Sequence, residues 1–375
     1  MSNITAPLRE LSFGYGILQD HADTSKVTPV KFLEFCQENI KNCENLTTKD
    51  ISKRQQSFNE KELSTINDGL KLAKYVLSKN IIKTETPTLE WIESTTNTGS
   101  TIDIIVDNIP FSFQEERFVL DTMELYQLIN IIADKIIYKK NLNIFEEYAS
   151  SELNTWFEVV RDMMIEKLKL GSFQTQDRGG KIAKLSYSES VDKLFLFFYN
   201  GEEVVENFTT CDYMQFQKST SSKNREKVFA RYLNKELALD PRYLKHKKEC
   251  LEKAGENLVD FLKKKVEMNP STKSLYHLFK IEKKSYYYAT TTEEGALLYK
   301  IPSQKEFSKN VKITQITSSM SQSHLKISTT IENRDTNGTL VIRNKLKYMH
   351  GQFNGAPEGT MFIDSGSLLI AYEEI

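Results

Sequence analysis

Residues Thr101–Arg117, TIDIIVDNIPFSFQEER, decide how the rest of the chain is read. Two runs rich in strand formers, Ile102–Val106 and Phe111–Phe113, flank Asp107 and Asn108, a turn pair followed by Pro110. The pattern predicts a hairpin with an aspartate, Asp103, near the start of its first strand. Directly after it, Phe118–Tyr138 (FVLDTMELYQLINIIADKIIY) repeats apolar residues at helical spacing. Before it, LEWIEST from Leu89 reads as an acidic helix, and Gly99 falls in the intervening loop. The expected local order is acidic helix, glycine-bearing loop, strand with Asp, strand, long amphipathic helix.

That order resembles the core of the PD-(D/E)xK nucleases, the fold of many restriction endonucleases and Holliday-junction resolvases. In that family a helix Glu precedes a glycine, an Asp follows on one strand, and the next strand supplies (Asp/Glu)-x-Lys. The resemblance covers roughly residues 85–140 and sets Glu90 or Glu93, Gly99, Asp103 and Ser112-Phe113-Gln114 at those positions. It implies that Asp103, with Glu90 or Glu93, binds Mg²⁺, a cation that takes oxygen ligands and neutralises charge on a phosphate under attack. The chain departs from the pattern twice. Ser112 stands where a carboxylate is expected, and is at most a weak ligand. Gln114 stands where lysine is expected; it can position the attacking water by hydrogen bonding but brings no charge. Some restriction enzymes resemble this chain in having Gln there. Glu115 would point opposite to Ser112 and Gln114 on an alternating strand, which favours the upstream glutamates. The competing reading is an ordinary hairpin–helix unit with one hydrogen-bonded aspartate.

Composition bounds the alternatives. With 375 residues, 39% apolar and 27% charged, the chain can bury a sizeable core, in two domains or one elaborated domain. A net charge of −1 restricts any nucleic-acid surface to local patches. The four cysteines, Cys36, Cys43, Cys211 and Cys250, lack metal-site spacing and read as reduced thiols of a cytoplasmic protein. No run approaches a membrane span. There is no Walker-type loop, Gly-x-Ser-x-Gly elbow, His-Glu-x-x-His or dinucleotide fingerprint, so no nucleotide cofactor is expected.

Along the chain, residues 1–30 read as polar and turn-rich. Val30–Asn39 and Lys61–Leu77 read as helices of an N-terminal helical subdomain, residues 1–84. A nuclease-like α/β core follows over 85–215. It includes a continuing helix at Asn143–Leu170 and a second hairpin, Val191–Tyr199 with Glu203–Phe208, turning at Asn200-Gly201 and placed to extend the sheet. Residues 216–270 form a basic helical segment, and 271–375 a β-rich region with strands expected at Tyr276–Ile281, Ser285–Thr290, Ala296–Ile301, Val311–Thr317, Leu325–Ile331 and Thr339–Tyr348. The fold class is therefore α/β (α+β): a helical N-terminal part around a mixed sheet, then a mostly antiparallel region.

Candidate DNA contacts cluster in three places. Arg178 and Lys181 sit in a glycine loop. Lys218–Lys248 holds ten basic residues against three acidic ones, among them Lys223, Arg225 and Arg231. Arg343, Lys345 and Lys347 alternate on one strand before a glycine-rich loop with His350, Gln352 and Asn354, side-chain types that read base edges. A lysine-protected edge strand is the plain alternative for that last cluster. The resulting expectation is a Mg²⁺-dependent, sequence-specific endonuclease of restriction type on double-stranded DNA, acting as a homodimer. The alternative is a non-catalytic DNA-binding or phage-defence interaction protein on a degenerate nuclease fold; a phage structural protein is a third.

Overall fold

The computed structural model describes residues 5–19, 27–54, 56–92, 101–113, 124–139, 142–176, 182–188, 193–197, 203–206, 212–219, 229–268, 275–293, 295–321, 324–348, 353, 357–363 and 373–374. At its centre lies the hairpin. Ile104–Val106 pairs antiparallel with Ile109–Phe113. Asp107 and Asn108 take φ of 48° and 67°, the left-handed pair of a two-residue turn whose twist suits the strands. The Asp107 carboxylate fixes the turn by accepting a 2.8 Å hydrogen bond from the Thr88 backbone N–H.

Leu89–Trp91 is a strand rather than the expected helix. Leu89 and Trp91 are buried with Glu90 half-buried between them, a period of two. The acidic residues at 90 and 93 imitate the polar stripe of a helix, but the segment is too short to establish a period of 3.6. It pairs antiparallel with Ile104–Val106 and parallel with Ile40–Lys41.

Seven strands form the mixed central sheet. Their order is Ile40–Lys41, Leu89–Trp91, Ile104–Val106, Ile109–Phe113, Tyr286–Thr292, Gly295–Ile301 and Glu373–Glu374. Ile109–Phe113 runs parallel to Tyr286–Thr292, so the chain leaves the sheet, builds the helices between, and returns beside the hairpin. Strands expected in the C-terminal β-rich region thus complete the same sheet as the hairpin. The class is α/β.

The N-terminus corrects the turn-rich reading: Thr5–Leu18 is a helix. Residues 8 to 17 are all buried, so no polar face marks a 3.6 period. Its glycines permit close approach. A Cβ on Gly14 would lie 2.9 Å from the Ile40 and Leu89 side chains. On the facing helix, Glu60–Ser78, a Cβ at Gly69 would lie 2.6 Å from the Arg9 carbonyl oxygen. Backbone cannot yield there. Gly69→Ala is therefore expected to destabilise the fold by about 3 kcal/mol despite the better helix propensity of alanine. Urea unfolding measures this; an unchanged or raised midpoint would contradict the close helix–helix contact.

The central sheet separates two cores. Tyr287 and Ala289 pack with the N-terminal helices, whereas Tyr286 and Tyr288 point into the larger core. That core joins Leu125–Ala133, Ser150–Leu168 and Pro241–Met268 to the C-terminal sheet. The expected long helix is described only from Leu125 and ends at Ala133, with Asp134 left-handed at φ 53°. The Asn130 side chain takes over there, accepting from the Ile137 and Tyr138 backbones and donating to the Tyr138 carbonyl. Such a side-chain competitor ends a helix whose apolar spacing would continue it.

Two further antiparallel sheets follow. Phe173–Gln176, Ile182–Ser188, Lys193–Phe197 and Glu203–Glu206 form a meander. The second hairpin is present but lies in this separate sheet instead of extending the central one. Val311–Ser321, His324–Asn333, Gly338–Lys347 and Glu358–Ile363 form the C-terminal sheet. Tyr276–Ile281, expected as a strand, is a helical turn: Leu275, Leu278 and Phe279 are buried at spacings of three and four and Lys280 is left-handed at φ 51°. Among the described residues no helix is long and apolar enough to cross a membrane.

Candidate functional site

Asp103 enters the first hairpin strand, and the neighbouring strand holds its carboxylate. Its Oδ2 accepts a 2.6 Å hydrogen bond from the Phe113 backbone N–H, and the buried Ser112 hydroxyl also donates to it. Ser112 and Phe113 therefore orient the aspartate. The carboxylate coupled to it is that of Glu10, buried on the N-terminal helix, which feels the Asp103 charge. Glu10 Oε2 accepts a 2.7 Å hydrogen bond from the Trp91 indole N–H. Trp91 is fixed in turn by its strand, in register with Ile104.

Burial dominates the electrostatics of this pair. It pushes Glu10 up to about 8, with the negative charge of Asp103 adding to the rise while the Trp91 hydrogen bond and the Arg9 guanidinium oppose it. Burial likewise pushes Asp103 up to about 6, against the Phe113 and Ser112 hydrogen bonds. Both carboxyls therefore hold their protons to higher pH than exposed acids do. Arg9 precedes Glu10 on the same helix, and its charge also reaches Tyr288, which burial pushes well above the usual phenol range. The site thus converges from four elements: the N-terminal helix, Leu89–Trp91, the hairpin and Tyr286–Thr292.

A divalent cation fits this donor set. Each carboxylate has about four acceptor directions. The contacts described occupy two on Asp103 and one on Glu10. Burial raises both pKa values, and a bound cation would offset that penalty on the charged forms. Among the described residues no group of three or more His, Cys, Asp or Glu side chains gathers there. Two carboxylates with the remainder supplied by water and phosphate oxygens is a set that Mg²⁺ accepts.

The other residues singled out in the sequence are spread over the molecule. Glu90 accepts a 3.3 Å hydrogen bond from the Asn42 side chain. Glu93, Gly99, Gln114, Arg178, Lys181, Lys223, Arg225, His350, Gln352 and Asn354 lie outside the described residues. Arg231 is half-buried in a helical segment. Much of the positive charge that follows is matched locally. Arg242 pairs with Glu166 at 3.1 Å and Asp240 at 3.4 Å, while Lys245 and Lys248 pair with Glu249 and Glu252. Lys247 is buried with its ammonium 5.9 Å from the Tyr243 ring centroid. Arg343, Lys345 and Lys347 share one face of Gly338–Lys347, alternating with buried Ile342, Asn344 and Leu346.

Sequence reading missed Arg9, Glu10, Trp91 and Tyr288. The available signal was the Arg-Glu pair inside the mostly apolar stretch Pro7–Leu18, since charges enclosed by apolar neighbours mark a paired buried site. Comparison with family models, with curated proteins and with solved structures returned no match.

Proposed function

We propose that the chain is a Mg²⁺-dependent phosphodiesterase that cuts double-stranded DNA, with Glu10 and Asp103 as the cation ligands. The observation that carries this reading is the pair itself: the buried Glu10 of the N-terminal helix and the half-buried Asp103 at the entry to the hairpin, both with raised pKa values and each aimed by a hydrogen bond from the mixed sheet. The order of elements around it supports the reading. A helix with Glu10, three antiparallel strands carrying Asp103 and Ser112, helices, and a strand returning parallel to the third resemble the nuclease core suggested by residues 85–140.

Bound Mg²⁺ would neutralise charge on the scissile phosphate and favour a hydroxide nucleophile. The protein groups have their own tasks. Ser112 and the Phe113 N–H keep the Asp103 carboxylate in one orientation, and the Trp91 indole does the same for Glu10. Arg9 supplies a positive charge beside the carboxylates, the property that Gln114 lacks. A second reading, a DNA-binding protein that no longer cuts, is favoured by Ser112, a buried hydroxyl where a third carboxylate would complete the ligand set.

Incubation of unmodified plasmid and phage DNA with and without Mg²⁺ tests the proposal. Discrete Mg²⁺-dependent fragments are expected, and no cutting of any DNA with binding retained would move the assignment to the second reading. In that case Ser112→Glu combined with Gln114→Lys is expected to create cleavage.

A further inference from the structure

The outer face of the C-terminal sheet carries a charge arrangement that folding alone disfavours. Lys326 and Lys345 stand directly opposite each other on the two central strands of that sheet, and like charges so placed cost stability. Arg343 and Lys347 flank Lys345 on the same face. Among the described residues neither Lys326 nor Lys345 makes an ion pair. Edge protection, the common reason for lysine on a strand, applies to edges and leaves these central positions unexplained.

The remainder of the face suits an extended polyanion. Thr317 lies opposite Ser328 and Gln315 opposite Thr330, side-chain types that donate to phosphate oxygens. Glu332, in register with Lys312, stands at one end of the basic row. Behind it, Ile327, Ile342 and Leu346 are fully buried, so the core holds the row flat. Among the described residues one aromatic, Phe362, is exposed there, opposite Arg343. Single strands are held by successive stacking groups, and one ring is too few.

We propose that this sheet face docks the sugar–phosphate backbone of double-stranded DNA through Lys326, Arg343, Lys345 and Lys347. The choice of DNA as the polyanion rests on the nuclease reading; the surface itself rests on the sheet. The test is fluorescence anisotropy with a short labelled duplex, in EDTA, between about 50 and 200 mM salt, comparing the native chain with Lys326→Gln/Lys345→Gln. The double variant is expected to bind about tenfold more weakly and to lose nearly two from the slope of log affinity against log salt, about 0.9 for each phosphate contact removed. Its melting temperature should equal or exceed that of the native chain, because the repulsion is gone; a folding defect is thereby separated from a lost contact.

Unchanged affinity and slope in the double variant would overturn the proposal, as would a native chain that binds no duplex at the lowest salt. Tighter binding of a labelled oligo(dT) than of duplex would overturn the choice of double strand. The readout needs no cleavage, so a platform that fails with cutting intact, and cutting that fails with the platform intact, are distinct results.

Discussion

Asp103→Asn is expected to reduce Mg²⁺-dependent DNA cleavage by about 10³-fold or more, the usual scale for losing a group that stabilises transition-state charge, while the fold persists. Asparagine keeps the shape and can still accept from the Phe113 N–H, but it loses the negative charge that the cation requires. The stability side can be worked out by sign. Asp103 titrates near 6 in the fold against an ordinary value of 3.8, so its stabilising contribution is complete below about 4 and lost as pH rises through 6. At pH 8 the variant should therefore melt no lower than the native chain. Circular dichroism melting and a plasmid-nicking assay on the same preparations check both halves. Cleavage at native rates by a stably folded variant would remove Asp103 from the chemistry.

Glu10→Gln is expected to have the largest effect on pH dependence. Glu10 titrates at about 8 in the fold against 4.5 ordinarily, so native stability, measured in EDTA, should fall between about pH 4.5 and 8 and then level off. The fall is on the order of a few kcal/mol. Glutamine removes most of that slope and leaves the smaller portion due to Asp103 at the acidic end. At pH 9 the variant should be the more stable protein in EDTA, and adding Mg²⁺ should stabilise the native chain but not the variant. Urea titrations at pH 5, 7 and 9 check this. A native chain equally stable at all three values would contradict a buried, proton-holding pair.

Local period decided how much was legible in the sequence. The Asp103 hairpin and the C-terminal strands were readable because alternation declares itself, and Asp107-Asn108 sits where a two-residue turn needs left-handed backbone. The helices Pro29–Asn39 and Glu60–Ser78 were readable because each keeps an exposed stripe. Thr5–Leu18 was not, since a helix enclosed on every side has no stripe, and losing that helix concealed Glu10. Leu89–Trp91 was misread because three residues cannot establish a period. The fates of Tyr286–Thr292 and of the Asn200-Gly201 hairpin, one joining the central sheet and the other leaving it, depend on pairings between distant segments. Local propensity does not encode such pairings.

The site shows the same division. Asp103 and its neighbour Ser112 were legible because one hairpin register brings them together. Glu10 and Arg9 meet them only through packing of the N-terminal helix, held close by Gly14 and Gly69. In the described end of the basic stretch, Lys245 and Lys248 are matched by Glu249 and Glu252 at helical spacing, partners that a count over Lys218–Lys248 stops short of.

On the proposed reading, Glu10 and Asp103 together hold one divalent cation. Calorimetric titration of Mn²⁺ at pH 7, in two buffers of different ionisation enthalpy, tests it most directly. A single site that releases protons on binding is expected, absent from Asp103→Asn and from Glu10→Gln. Binding that survives in both variants, or no binding by the native chain, would contradict it.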